Sequence, residues 1–266
     1  MDFIAALFLG LIQGITEWLP VSSTGHLVLA QEAMNISTTQ NVMFDLVLHA
    51  ATLCSVLIFL RKELKKIARA IYTKKEKLDE SGLKSRKLGE YAIIATIPIA
   101  LAGIIAASHL NEIFTPEATA IALLITGIML WFAEMPKLRK NRSELKASDA
   151  IIIGCLQAIS IAPGISRTGT TISAGCYRGL NREIVAVFSF LMSIFAIVAA
   201  IVYSLAFAEN YQIDWIPTLA AAVVAFITGL IALRWFFDMI KKFRLRIFSV
   251  YCWVIGAAAL MLLVLY

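Results

Sequence analysis

Two stretches of this chain, GLIQGITEWLPVSSTGH over residues 10–26 and GCLQAISIAPGISRTGT over residues 154–170, can be laid over one another with a shift of 144. Gly10, Gln13, Ser22, Thr24 and Gly25 then fall on Gly154, Gln157, Ser166, Thr168 and Gly169. Pro20 misses Pro163 by one place, and the same shift carries Phe44 onto Phe188. In each stretch an apolar run (residues 3–15 and 150–162) is too short to cross a bilayer and breaks into Pro, Gly and hydroxyl residues before a second short helical stretch. That pattern suits a re-entrant pair, whose non-helical tip is tolerated only where it lines a polar cavity.

Outward from these stretches the chain is apolar throughout. Of its 266 residues, 60% are hydrophobic and 16% charged, and mean hydropathy is +0.81. A soluble domain has about 45–50% apolar and about 25% charged residues. A soluble enzyme, a disordered regulator and a secreted disulfide scaffold are excluded. The first apolar run has no basic flank or small-residue cleavage site, so it reads as mature protein and not as a signal peptide. Cys54, Cys155, Cys176 and Cys252 show no metal or disulfide spacing and read as buried small hydrophobes. Six runs are long enough to span: 42–60, 91–107, 115–133, 184–208, 215–237 and 247–266. Each short pair is followed by three of them, so the chain reads as a single all-α polytopic membrane domain, 1–266, made of repeat 1 (about 1–133) and repeat 2 (about 150–266). Three spans is an odd number. The second repeat is therefore predicted to enter the membrane upside down, an inverted-topology repeat whose polar site lies near the midplane where the broken elements meet.

The net charge of +6 reports orientation and not a nucleic-acid partner. Eleven of the 24 basic residues lie in 61–90, five in 134–149 (among them Lys137, Arg139 and Lys140) and five in 234–246. These segments are predicted cytoplasmic and both termini outside. The segment 61–90 reads as an interfacial amphipathic helix and loop on anionic lipid.

The tips carry the candidate chemistry. Ser22, Ser23, Thr24 and Gly25 in one, and Ser166, Arg167, Thr168, Gly169 and Thr171 in the other, offer freed helix N-terminal amides, hydroxyls and close backbone approach, which together make an anion site. Arg167 adds a planar fork for phosphate oxygens at a depth where an arginine costs at least about 2.5 kcal/mol. A structural alternative is that Glu17 merely neutralises it. Gln13 and Glu17, four apart on one helix, could share a face as a site for a proton or a divalent cation. Ser23 and His26, three apart, suit an activated nucleophile, although helix capping plus a packed histidine has the same spacing. Asp45 and His49 could support the site from the first span, or simply hydrogen-bond between helices. His109, in a short outer loop, reads as solvated.

QGITEWLPVSSTGH and PGISRTGTTISAG resemble the two signature motifs of the undecaprenyl-diphosphatase, or bacitracin-resistance, family, and the resemblance runs the length of the chain. It implies a plasma-membrane phosphatase that hydrolyses a C55 polyprenyl diphosphate to the monophosphate carrier and inorganic phosphate, for recycling of the envelope lipid carrier. It also implies a divalent cation, Mg²⁺ or Ca²⁺. By position Glu17, Ser22, Ser23 and His26 match the first motif and Ser166, Arg167 and Thr171 the second; with the tip reading, Glu17, Ser23, His26 and Arg167 are the expected catalytic residues and Ser22, Thr24, Gly25, Ser166, Thr168, Gly169 and Thr171 the expected phosphate binders. Glu17 and Gln13 are the expected metal donors, but Gln13 stands where many members have a glutamate, which removes a carboxylate and counts against a scheme with two acidic ligands on this helix. In the expected scheme Ser23 attacks phosphorus and His26 is the base, with a phosphohistidine at His26 as the variant. A transporter or flippase of polyprenyl phosphates is the rival function, since inverted repeats and broken helices serve transport equally well. The expected partners are the polyprenyl diphosphate and the bilayer. A homodimer stays open, because no face can be assigned to a second copy instead of lipid.

Overall fold

A computed structural model describes residues 2–36, 42–106, 114–135, 141–207, 213–242 and 244–265. His109, Lys137, Arg139 and Lys140 lie outside the described residues. The described chain is helical: α1 Phe3–Trp18, α2 Ser23–Ala33, α3 Val42–Phe59, α4 Arg61–Tyr72, α5 Glu80–Ala106, α6 Pro116–Ala133, α7 Ala147–Gln157, α8 Arg167–Tyr177, α9 Arg182–Ala206, α10 Trp215–Lys241 and α11 Leu245–Leu265. Six of these, α3, α5, α6, α9, α10 and α11, are long and apolar enough to cross a membrane. The chain is a multi-pass membrane protein.

Local signals set the helix ends. Asp2 caps α1 by accepting the Ala5 amide at 3.2 Å, and Pro20 follows its end, where a helix cannot readily continue. Thr115 caps α6, with Pro116 as its first residue. Asn181 caps α9 by accepting two amides. Pro98 sits inside α5, a break that neighbouring helices make tolerable in a membrane.

The packing is reciprocal. α1 lies against α10 as α7 lies against α5, α3 packs on α10 as α9 packs on α5, and α6 packs on α11. Gly10 meets the Ala221 backbone of α10 and Gly154 meets the Ala95 backbone of α5, each so closely that a side chain would collide. Small residues bring membrane helices together in this way when lipid supplies no hydrophobic drive. Trp18, fully buried, ends α1 by stacking edge-on against Phe190 of α9 at 5.4 Å and donating to Ser55 Oγ of α3 at 3.0 Å.

Two sequence expectations change. The stretch 80–90 is not loop: it forms the first turns of the 27-residue α5, while α4 alone is the basic amphipathic helix, packed on α5 through Ile67 and Ala70. Cys54 and Cys155 are exposed, whereas Cys176 and Cys252 are buried. An apolar setting does not separate a lipid-facing thiol from a core one.

The basic ends are tied together by buried carboxylates. Glu134 accepts the amides of Leu245 (3.3 Å) and Arg246 (3.0 Å) at the start of α11. Asp149 accepts Arg142 Nη2 and Arg178 Nε, both at 2.8 Å, and the Lys146 amide at 3.0 Å. Burial pushes the Asp149 carboxyl up, but hydrogen bonds from Arg178, the Lys146 amide and Arg142, with the Arg142 charge, hold it below its ordinary value. A depressed carboxylate stabilises the fold above its unfolded pKa, and that contribution is lost as pH falls through the folded one. Asp149→Asn is expected to destabilise the protein by roughly 1–3 kcal/mol at pH 7, both arginines being partly hydrated. Thermal unfolding in detergent checks this, and the gap between wild type and variant should narrow below about pH 4.

Candidate active site

The two tips are built alike. Ser22 caps α2 by accepting the Gly25 amide at 3.3 Å, and Ser166 caps α8 by accepting the Gly169 amide at 3.0 Å. In both, the next residue's amide bonds the cap carbonyl: His26 to Ser22 O at 3.1 Å and Thr170 to Ser166 O at 2.8 Å. The first two amides of each helix, on Ser23 and Thr24 and on Arg167 and Thr168, have no partner inside the helix, an arrangement suited to an anion. The tips touch. The Gly164 amide donates to Ser22 Oγ at 3.1 Å, and Thr126 Oγ1 donates to Gly164 O at 2.8 Å and accepts the Ser166 amide at 3.0 Å. Gly164, at φ +91°, turns the chain where a side chain would strike Thr119 O.

Glu17, with a side chain only 1% exposed, stands between the tips. Its Oε1 accepts Arg167 Nη2 at 2.5 Å, and its Oε2 accepts Ser23 Oγ at 2.5 Å and Gln13 Nε2 at 2.9 Å. His49 donates from Nδ1 to Asp45 O at 2.8 Å, which aims Nε2 at Glu17 Oε2, 3.5 Å away. Asp45 accepts Gln31 Nε2 at 3.0 and 3.2 Å. Arg167 uses one amino group on Glu17, while its Nε is buried with no partner. The ion pair therefore does not exhaust the guanidinium.

A cavity of about 590 Å³ opens on this centre. Ser22, Ser23 and Thr24 line it from one tip and Ser166, Arg167 and Thr168 from the other, with Glu17, Gln31, Asp45 and His49. Apart from Ser160 its remaining wall is apolar, including Leu27, Val28, Leu46, Ile99 and Ile197.

Five expected residues are placed otherwise. His26 is turned from the cavity: Nδ1 donates to Ser22 O at 2.8 Å and Nε2 meets the Tyr251 hydroxyl at 2.9 Å, while Ser23 gives its hydrogen to Glu17. His26 is thus not positioned as the base for Ser23. Thr171 bonds Ser189 Oγ at 2.6 Å and its own helix carbonyls, a packing role in place of phosphate contact. Gly25 and Gly169 give space for tip to meet tip: a side chain at Gly25 would strike Gly164, and one at Gly169 would crowd Ser166 and Pro20 O. Gln13 lies outside the cavity lining and turns its amide N–H to Glu17, leaving Oε1 buried and unpaired. Sequence reasoning missed Gln31, Thr126 and Tyr251. Gln31 looks like one more polar helix residue, and Tyr251 is distant in the chain; neither spacing carried a signal.

The model of the family Bacitracin resistance protein BacA matches residues 6–258. The chain is 38% identical to the undecaprenyl-diphosphatase of Syntrophotalea carbinolica over 268 residues, covering 96% of this chain and 97% of that one. It is 35% identical to the undecaprenyl-diphosphatase of Methanobrevibacter smithii, over 98% of each chain. A third undecaprenyl-diphosphatase, from Carboxydothermus hydrogenoformans, is 38% identical over 98% of each. With two capped tips closing on one carboxylate, and relatives matched along their whole length, this chain belongs to the bacitracin resistance protein BacA family.

Proposed function

We infer that the chain is a membrane undecaprenyl-diphosphatase, releasing inorganic phosphate from the lipid diphosphate and leaving the monophosphate. One observation carries the reading: two helix N-termini, Arg167 and a serine already bonded to a carboxylate all face one cavity whose other wall is apolar. The amides suit phosphate oxygens and the apolar wall suits a polyprenyl chain. The transport rival is not favoured, since the Ser23–Glu17 contact has no use in transport.

Ser23 Oγ attacks the terminal phosphorus and Glu17 Oε2 takes its proton. The bond from phosphorus to the bridging oxygen breaks, and the polyprenyl monophosphate leaves. Water then attacks the phosphoserine phosphorus, the bond from phosphorus to Ser23 Oγ breaks, the proton held on Glu17 returns to Ser23 Oγ, and the water's proton leaves with the inorganic phosphate. Arg167, Ser22, Thr24, Ser166, Thr168 and the tip amides hold the phosphoryl oxygens, so that positioning and charge neutralisation supply most of the rate. Glu17 replaces His26 as the base because it, and not the imidazole, receives the Ser23 hydroxyl.

A divalent cation is proposed at a place shifted from the expected one, although no cluster of three His, Cys, Asp or Glu side chains is present among the described residues. Glu17 and Asp45 line the cavity with Gln31, whose Oε1 is buried and unpartnered. Oxygens of this kind, completed by substrate oxygens and water, are the type of ligand that Mg²⁺ or Ca²⁺ takes. Such an ion supplies neutralisation of diphosphate charge. Gln13, outside the lining, is not among its donors.

The short pairs α1–α2 and α7–α8 are proposed to be re-entrant, in an inverted repeat with units 1–133 and 150–266. Their lengths, alike caps and reciprocal packing support this. Both termini are then outside, and the basic segments 61–90 and 134–149 cytoplasmic.

Purified protein is expected to release phosphate from a long-chain polyprenyl diphosphate. Ser23→Ala and Glu17→Gln should each lower turnover by about 10³-fold or more and Arg167→Lys by about 10²-fold, with Lys62→Ala near wild type. A wild type that binds the lipid without releasing phosphate would return the transport reading. Thr24→Cys and Thr168→Cys test the shared cavity: substrate should shield both thiols from a soluble reagent, whereas shielding of only one separates the tips.

A further inference from the structure

We propose that Tyr251 is a positioning residue for the phosphatase site, acting through His26 to hold the Ser22 tip in its working conformation. The inference rests on the phosphatase reading above and names a residue outside both motifs. Ser22 has φ +68° and ψ 92°, a backbone region that a residue bearing a Cβ seldom occupies and that persists only where its surroundings enforce it. The enforcing contact is with His26. The Ser22 carbonyl accepts both the His26 amide at 3.1 Å and His26 Nδ1 at 2.8 Å.

A carbonyl can only accept, so Nδ1 carries the ring hydrogen and the neutral ring presents a lone pair at Nε2. The Tyr251 hydroxyl meets that atom at 2.9 Å, with the two ring planes within 8° of parallel. By donating there, Tyr251 selects the tautomer that Ser22 needs. Without it the ring hydrogen can sit on Nε2, which turns the Nδ1 lone pair onto the Ser22 carbonyl.

The consequence reaches the substrate through Ser22 Oγ. That atom accepts the amides of Gly25 at 3.3 Å and Gly164 at 3.1 Å, which occupies both lone pairs and leaves its hydrogen to donate. Ser22 lines the cavity and His26 does not, so the donated hydrogen points to a phosphoryl oxygen while the imidazole stays behind the tip. Tyr251, on α11, thereby joins the C-terminal helix to the junction of the two tips.

The test uses full-length protein in detergent, with phosphate release from a long-chain polyprenyl diphosphate read as kcat and KM. Tyr251→Phe, which keeps the ring and loses the hydroxyl, should lower kcat about five- to tenfold, as loss of one hydrogen bond does, with KM and the thermal midpoint held. His26→Asn places an amide N–H where Nδ1 sat and has no imidazole for proton transfer. It should stay far more active than His26→Ala, and adding Tyr251→Phe to it should change nothing, the two effects being non-additive. The inference is overturned if Tyr251→Phe matches wild type, if His26→Asn is as inactive as His26→Ala while remaining monodisperse, or if the double variant falls further. Failure of the underlying reading is separate: wild type would then release no phosphate.

Discussion

The Glu17 carboxylate is the point on which the rest of the structure converges. One oxygen holds Arg167 from α8 and the other holds Ser23 from α2, each at 2.5 Å, while the side chain itself belongs to α1 and is almost fully buried. A buried carboxylate without partners is strongly unfavourable, and so is a guanidinium at membrane depth. Each makes the other tolerable in a buried site, so the two tips must meet there. The short helices, the serine caps and the glycine contacts between tips are what that meeting requires of the backbone.

The same constraint explains how a greasy chain can carry phosphate chemistry. Two helix N-termini, one arginine and a few hydroxyls concentrate positive potential on a small cavity. Among the described residues, Asp149 and Glu134 gather arginines and amides into fixed clusters apart from this cavity.

Much of this was legible in the sequence because it is periodic or compositional. The shift of 144 located both tips, hydropathy located the six spans, and the rarity of charge at depth singled out Glu17 and Arg167. Direction within a helix was not legible. Ser23 and His26 are three residues apart, but the strained backbone at Ser22 sends the hydroxyl to Glu17 and the imidazole back to Ser22 O and Tyr251. Thr171 follows Arg167 by one turn yet faces Ser189 of α9. Gln31 and Tyr251 gain their meaning only from partners far along the chain, which no local pattern encodes.

The stereochemical course at the terminal phosphorus tests the central claim most directly. It can be followed with a polyprenyl diphosphate whose terminal thiophosphate is made chiral with oxygen isotopes. Attack by the Glu17-bonded Ser23, then by water, is two in-line displacements. Net retention of configuration is expected. Net inversion, the result of one direct attack by water, would contradict it.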